Sequence, residues 1–424
     1  MCGNLPSASQ ETLDRQVESL AAEARGLLLE LLQYQSLAGR EHQVQEYLHG
    51  WLSRLGLDTQ LLPQPADISR DPNYSPHAES ANPAPNLKVI LKGKGGGRSL
   101  LLNSHTDVVP ANDPSQYAPR EEAGRVIGRG ACDAKGQVVT WILALLAVKE
   151  AGIALYGDCV GSAVVEEEVG GNGALAWVLT QPAQDLALVL EPTDLKIHPA
   201  NRGAVWFKIA TTGTSTHMGR WWEGISAYER LEVLLQAARK WDAELVLQSR
   251  GVPLFPDNPS PAHVNIGMVR AGDWPATVPA EAVAEGGISF LPNKTLEQIK
   301  SDFTQAITQA AQLEGIPASV TFERLQNQAY SIPADHPGVV TLDNCLKQAA
   351  GASEVTGFLA SCDARLFYHR GKMPTIVFGP GSLQHAHSQN EQIAVQDVVT
   401  AARALARFIV QWCGADGVET GQEG

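Results

Sequence analysis

The feature that most constrains this chain is its alternation of short apolar runs with segments of helical period. Residues 87–91, 100–103, 160–165, 186–190 and 375–378 are apolar runs of strand length. Residues 10–33, 41–55, 137–149, 174–179 and 395–410 instead place apolar side chains at the spacing of a helix. Strands that are apolar throughout are buried on both faces, and interleaving them with helices predicts an α/β fold. That fold is a mixed, mostly parallel sheet flanked by helices. The texture changes near residue 200. Residues 205–211 alternate polar and apolar, 264–269 and 282–290 read as two further strands, and 228–241 and 296–313 as helices. The predicted organisation is a main domain of 1–199 and 319–424, interrupted by an inserted α+β domain over 200–318. Residues 63–87 are rich in Pro, Asn and Ser and read as a long loop, a length usually tied to function or mobility. The tail from Gly414 is polar and expected to be disordered.

A chain of 424 residues exceeds one ordinary domain, in keeping with that division. The net charge is −14 with no basic block, so neither nucleic acid nor an anionic membrane is an expected partner. No apolar run approaches the roughly 18 residues of a spanning helix. The start, Met1-Cys2-Gly3-Asn4-Leu5-Pro6, has no charged or apolar leader region, so no signal peptide is expected. Cys2, Cys132, Cys159, Cys345, Cys362 and Cys413 are scattered without a CxxC pair. This argues against a disulfide framework and a cysteine metal site, and fits a reducing, cytoplasmic setting.

Acidic and imidazole residues recur just after the apolar runs, where open α/β sheets place their ligand sites. Ser104-His105-Thr106-Asp107 follows the run at 100–103. A neutral imidazole binds zinc through one nitrogen while a nearby carboxylate fixes its tautomer through the other, a role open to Asp107. By itself His105 reads more readily as a loop histidine making local hydrogen bonds. Asp133, in Gly128-Arg129-Gly130-Ala131-Cys132-Asp133-Ala134-Lys135-Gly136, offers a carboxylate able to bridge two metals, or an ordinary helix cap. Glu166, Glu167 and Glu168 end a buried strand before Gly170-Gly171, an odd place for a solvated acidic face. Neighbours in a strand point to opposite sides, so Glu167 and Glu168 can divide metal ligation and proton transfer between them. Glu191 follows Leu190 and precedes Pro192-Thr193, and either His385 or His387 in the last segment can ligate. Together these supply donors for two nitrogen/oxygen metal sites sharing a bridge. No nucleophile elbow, phosphate loop or dinucleotide fingerprint competes.

The order and wording of these segments resemble the zinc deacylase and exopeptidase family of acetylornithine deacetylase, succinyl-diaminopimelate desuccinylase, aminoacylase and glutamate carboxypeptidase. Its pattern, S-H-x-D, G-R-G-x-x-D-x-K-G, D-E-E-x-G, E-P-[ST] and H-S-x-N-E, recurs here in order from His105 to Glu391. The resemblance implies a catalytic zinc-peptidase domain with the insert as a lid and dimerisation domain. It assigns His105, Asp133 and Glu191 to one metal and Asp133, Glu168 and His387 to the other. It makes Glu167 the general base and acid, Asp107 the residue orienting His105, and Asp133–Ala134 a cis peptide. Gly213-Thr214-Ser215-Thr216-His217 matches a lid motif whose histidine stabilises the oxyanion in the partner subunit's site. Asn265 and Arg365 match substrate-contacting positions.

There are departures. Glu166 replaces the usual Asp, and Gly286-Gly287-Ile288-Ser289-Phe290-Leu291-Pro292 lacks the arginine of the family's R-x-x-P stretch. Trp221-Trp222-Glu223 after His217 is also unusual. The implied enzyme is a homodimeric, cytoplasmic amidohydrolase with two divalent ions, zinc first and cobalt or manganese as substitutes. Its substrate is a small N-acylated amino acid or related amine carrying an acetyl, formyl or succinyl group. A dipeptidase or carboxypeptidase with the same metals is the near alternative, and a non-catalytic metal-binding scaffold the distant one.

Overall fold

The computed structural model describes residues 6–77, 83–255 and 260–416. The chain divides into two compact units. The first comprises residues up to Pro199, Ile332–Phe358 and the stretch from Cys362 on; the second comprises Ala200–Ser331 with Leu359–Ser361.

In the first unit the main sheet runs in the order Asp58–Leu62, Asn86–Leu91, Cys159–Val164, Leu100–His105, Leu186–Val189, Thr375–Val377 and Ile197–Asn201. Pairing is parallel among its central strands, from Cys159–Val164 to Thr375–Val377, and antiparallel towards both edges. The sheet is therefore mixed, with its parallel part confined to the middle. Every residue of Leu100–His105 and Cys159–Val164 is buried, the polar ones Asn103, Ser104, His105 and Ser162 included. Helix Lys135–Glu150 is buried from Lys135 through Val148, and helices Ser7–Leu31 and Val395–Cys413 pack against it. A methyl group at Gly161 would lie 2.5 Å from the Trp141 ring, so only glycine lets the strand approach this helix so closely.

Register fixes the function-bearing edge. His105 is level with Val164, and Asn103 with Val189. The residues that follow these strands, Glu166 to Glu168 and Glu191, thus emerge at the same carboxyl-end edge as His105. The sequence reading had no account of the edge strand Asp58–Leu62 or of helix Pro337–Ala350. Within the expected loop at 63–87, Ile68–Arg70 forms a 3-10 turn, while residues 78–82 lie outside the described residues.

The second unit has an antiparallel sheet in the order His263–Ala271, Glu281–Phe290, Gly203–Thr212, Ala318–Thr321, with Gln326–Asn327 also on Gly203–Thr212. Helices Ala227–Gln248 and Leu296–Leu313 cover one face. Val205, Phe207 and Ile209 point into that core, where the Phe303 ring lies 4.7 Å from Phe207 and 5.2 Å from Trp241. The expected end of the insert at 318 is corrected: the unit runs to Ser331, because Ala318–Thr321 and Gln326–Asn327 hydrogen-bond to its central strand.

Among the described residues no helix is long and apolar enough to cross a membrane. Cys132, Cys159, Cys345, Cys362 and Cys413 are free and buried, while Cys2 and the polar tail beyond Asp416 lie outside the described residues.

Candidate metal centre

His105 ends its strand 1% exposed. Its Nδ1 lies 3.0 Å from the Asp107 carbonyl oxygen and 3.3 Å from the Asp107 carboxylate, and its Nε2 lies 3.1 Å from Asp133 Oδ1. Asp107, fully buried, accepts the backbone N–H groups of Glu167 at 3.1 Å and Glu168 at 2.9 Å. One carboxylate therefore holds both the imidazole and the turn carrying the two glutamates.

Asp133 precedes a cis peptide bond, Asp133–Ala134, as the resemblance implied. Its second oxygen lies 3.2 Å from His387 Nε2, and that nitrogen is 3.1 Å from Glu168. His387, with φ +58°, turns towards the cluster, whereas His385 contributes its backbone to the local turn. Of the two histidines, His387 is the one whose ring lies against Asp133 and Glu168. Donor atoms of His105, Asp133 and Glu168 all fall within 4.8 Å of one another. Glu191 is 5% exposed and within electrostatic range of His105, Asp133 and Glu168.

The electrostatics are those of a site short of positive charge. Burial, reinforced by neighbouring carboxylates, pushes Glu167 and Glu191 well above the usual range and Glu168 up to about 7. Burial alone would also raise Asp133, but hydrogen bonds from His105 and His387 hold it low. The same bonds, to Asp133 and Glu168, raise His387 to about 10. The donors are all carboxylate oxygens and imidazole nitrogens, the set that suits zinc, cobalt or manganese. The cluster of His105, Asp133 and Glu168 fits a divalent-cation site.

Several supporting residues had no role in the sequence reading. Glu391 Oε1 accepts the backbone N–H groups of Gly130 at 3.0 Å, Cys132 at 3.1 Å and Asp133 at 2.9 Å, while its Oε2 pairs with Arg129 at 2.6 Å. Both side chains are 1% exposed, so this pair sets the backbone of the loop that presents Asp133. Lys135, fully buried, donates to the carbonyls of Leu31 and Tyr34. Asp363, also missed, sits against Gly171, where a side chain would meet its Oδ1 at 2.1 Å; Gly171 also has φ +85°. The sequence carried a signal for each: Arg129 and Glu391 lie inside the matched motifs, and Asp363 is two residues before Arg365.

Arg365 is 7% exposed and donates to the Gly170 carbonyl at 2.8 Å, with Asp363 and Glu167 as its charged neighbours. Glu166 is explained by reach: its carboxylate takes hydrogen bonds from Asn172 at 2.8 Å and Gln64 at 3.3 Å and pairs with His77 at 3.0 Å. His217 and Asn265 belong to the second unit and are exposed. His217 caps the 3-10 helix Met218–Glu223, its Nδ1 accepting the Gly219 N–H at 3.1 Å. Asn265 stands opposite Gly287 in the sheet.

Comparison with known proteins gives a consistent picture. The N-formyl-4-amino-5-aminomethyl-2-methylpyrimidine deformylase of Bacillus subtilis (strain 168) is 25% identical over 436 residues, covering 95% of this chain and 97% of that protein. A probable carboxypeptidase of Aspergillus terreus (strain NIH 2624) is 27% identical over 391 residues, covering 90% and 84% respectively. The crystal structure of aminopeptidase PepT from Bacillus cereus ATCC 10987 superposes with a TM-score of 0.73 at 17% identity, covering 93% of this chain and 99% of that one. Residues 101–411 match the sequence profile of peptidase family M20/M25/M40, a span that includes every residue of the cluster. The chain belongs to peptidase family M20/M25/M40.

Proposed function

We propose that this protein is a metal-dependent amidohydrolase that removes a short acyl group from a small amine. The observation that carries the reading is the Asp133 carboxylate, which spans His105 and His387 while Glu168 and Glu191 stand beside it. His105, Asp133 and Glu191 would hold one divalent ion, and Asp133, Glu168 and His387 the other, with zinc first and cobalt or manganese able to replace it. When bound, the ions supply Lewis-acid charge to the water and the scissile carbonyl.

The chain's own residues do the rest. Glu167 is half-buried, next to the ligands and not itself needed as one, so it takes the proton of the attacking water. It then delivers that proton to the nitrogen of the leaving amine, and its raised proton affinity suits it to hold the proton between the two steps. Asp107 fixes the tautomer and tilt of His105. Arg365 and Asn265 contact the substrate. With no arginine in the stretch from Gly286 to Pro292, Arg365 is proposed as the cation for an acidic substrate group. His217 of a second copy stabilises the oxyanion, which requires a homodimer built through the second unit. The setting is cytoplasmic.

Among acyl groups, formyl comes first because a deformylase matches this chain nearly end to end; acetyl and succinyl follow. A carboxypeptidase reading has its own support in the Aspergillus terreus relative. The test is a steady-state screen of N-formyl, N-acetyl and N-succinyl amines against dipeptides, with metal content measured on the same sample. Turnover of dipeptides alone would move the assignment to the second reading. Full turnover by a Glu167→Ala variant that keeps its metals would end the mechanism.

A further inference from the structure

A cleft of about 1360 Å³ lies in the first unit where helix Ser7–Leu31 ends and helix His42–Arg54 begins. Tyr34, Tyr47 and Trp51 give it aromatic walls, with the two tyrosine rings 5.6 Å apart, and Arg40 and Arg54 give it positive charge. Glu30 is the sole acid of the lining. On a chain of net charge −14 this local balance runs against the whole. The side chain of Arg54 has no hydrogen bond or ion pair among the described residues, so its charge is available to something else. Aromatic faces beside guanidinium groups favour a flat ring that carries negative charge, which gains stacking from one and charge pairing from the other.

The wall of this cleft is wired to the metal cluster. Ser36 Oγ donates to the Thr106 carbonyl at 2.7 Å, and the Ser36 carbonyl accepts the Val108 N–H at 2.9 Å, gripping both sides of Asp107. The Tyr34 carbonyl takes Lys135 Nζ at 2.7 Å, two residues beyond Asp133. Gln45, on the second helix, donates to Thr106 Oγ1 at 3.0 Å. A ligand that orders residues 34–36 therefore acts on the segments that position His105 and Asp133.

We infer that this cleft is an effector site for a small planar aromatic anion, coupled to the metal cluster. Its consequence for turnover rests on the hydrolase reading; its occupancy and its coupling to the metals do not. Aryl carboxylates and nucleoside monophosphates share the required chemistry. The experiment titrates the full-length metal-loaded protein calorimetrically with 1-naphthoate and with adenosine monophosphate, using adenosine and inorganic phosphate as comparators. At least one aromatic anion should bind tenfold or more tightly than either comparator, and which one binds identifies the source. Arg54→Glu, a change at an exposed position, should weaken that binding at least tenfold, and Trp51→Leu at least threefold. Zinc affinity, measured against a chelator with and without the saturating anion, should shift by threefold or more, and Arg54→Glu should abolish the shift. Failure of both anions to bind, or binding untouched by Arg54→Glu, overturns the site. An unchanged zinc affinity overturns the coupling. Neither result depends on whether any acylated amine is turned over.

Discussion

The two units bury their residues in opposite ways. In the first, the central strands and helix Lys135–Glu150 are covered on all sides, and charged groups such as Arg129, Glu391, Asp107 and Lys135 are buried with them. In the second, helices cover one face of the sheet, and strand His263–Ala271 is exposed along most of its length. Large apolar side chains are left at the surface there: Trp221 is 67% exposed, Trp222 64%, Trp274 69% and Met218 58%. A buried charge must be answered by partners inside the same unit, because water is not there to do it. An exposed apolar surface of this kind is instead suited to association or to contact with a substrate. The first unit thus stores its chemistry in internal pairs, and the second presents its candidates, His217 and Asn265, outward.

The sharpest way to test the internal logic is at Glu167. Glu167→Ala should lower kcat by roughly 10³-fold, within the span general bases command, while metal content stays as in the parent. Next comes the loop-holding pair. Glu391→Ala leaves the Arg129 guanidinium buried without its carboxylate, and should cost about 3–5 kcal/mol in urea unfolding. Full stability in that variant would show that the first unit does not depend on internal pairing.

A pH titration probes the same unit at a smaller scale. His198 is 5% exposed, and burial lowers it to about 4, with its ring nitrogen against the Thr356 carbonyl at 3.0 Å. The unfolded chain takes up this proton near pH 6.5 and the folded chain only near 4. The contribution is therefore complete above pH 6.5 and is lost as pH falls towards 4, up to about 3 kcal/mol. Parent and His198→Gln stability curves should diverge in that window and run parallel above it.

The smallest effect is expected in the second unit. Val269→Asp, on the exposed strand, should change folding stability by less than about 0.5 kcal/mol. If the homodimer forms through this unit, the same change should shift the mass seen by light scattering towards the monomer. A dimer indifferent to it would place the interface elsewhere.

Much of the centre was legible because its chemistry is local in sequence. His105 ends a strand, Glu167, Glu168 and Glu191 follow strands and Asp133 precedes a helix, and strand register does the rest. The choice of His387 over His385 was not legible from spacing, since it turns on one backbone conformation, φ +58° at His387. Asp363 and the Arg129–Glu391 pair went unread for another reason. They lie in or beside the matched motifs, but their partners are distant in the chain, Glu391 lying 262 residues from Arg129, so the pairing itself is not written locally. The end of the second unit was missed similarly, because Gln326–Asn327 is too short to show a strand period and exists only through its pairing with Val205 and Ala204.

By itself, then, the sequence determined the class of fold, the division near residue 200 and the donor types, because periodicity and residue chemistry are written in consecutive positions. Tertiary structure alone decided which donors meet and which carboxylates hold loops instead. It also set a cationic, aromatic cleft on an acidic protein, since burial, proximity and charge balance arise only when distant segments share one small volume.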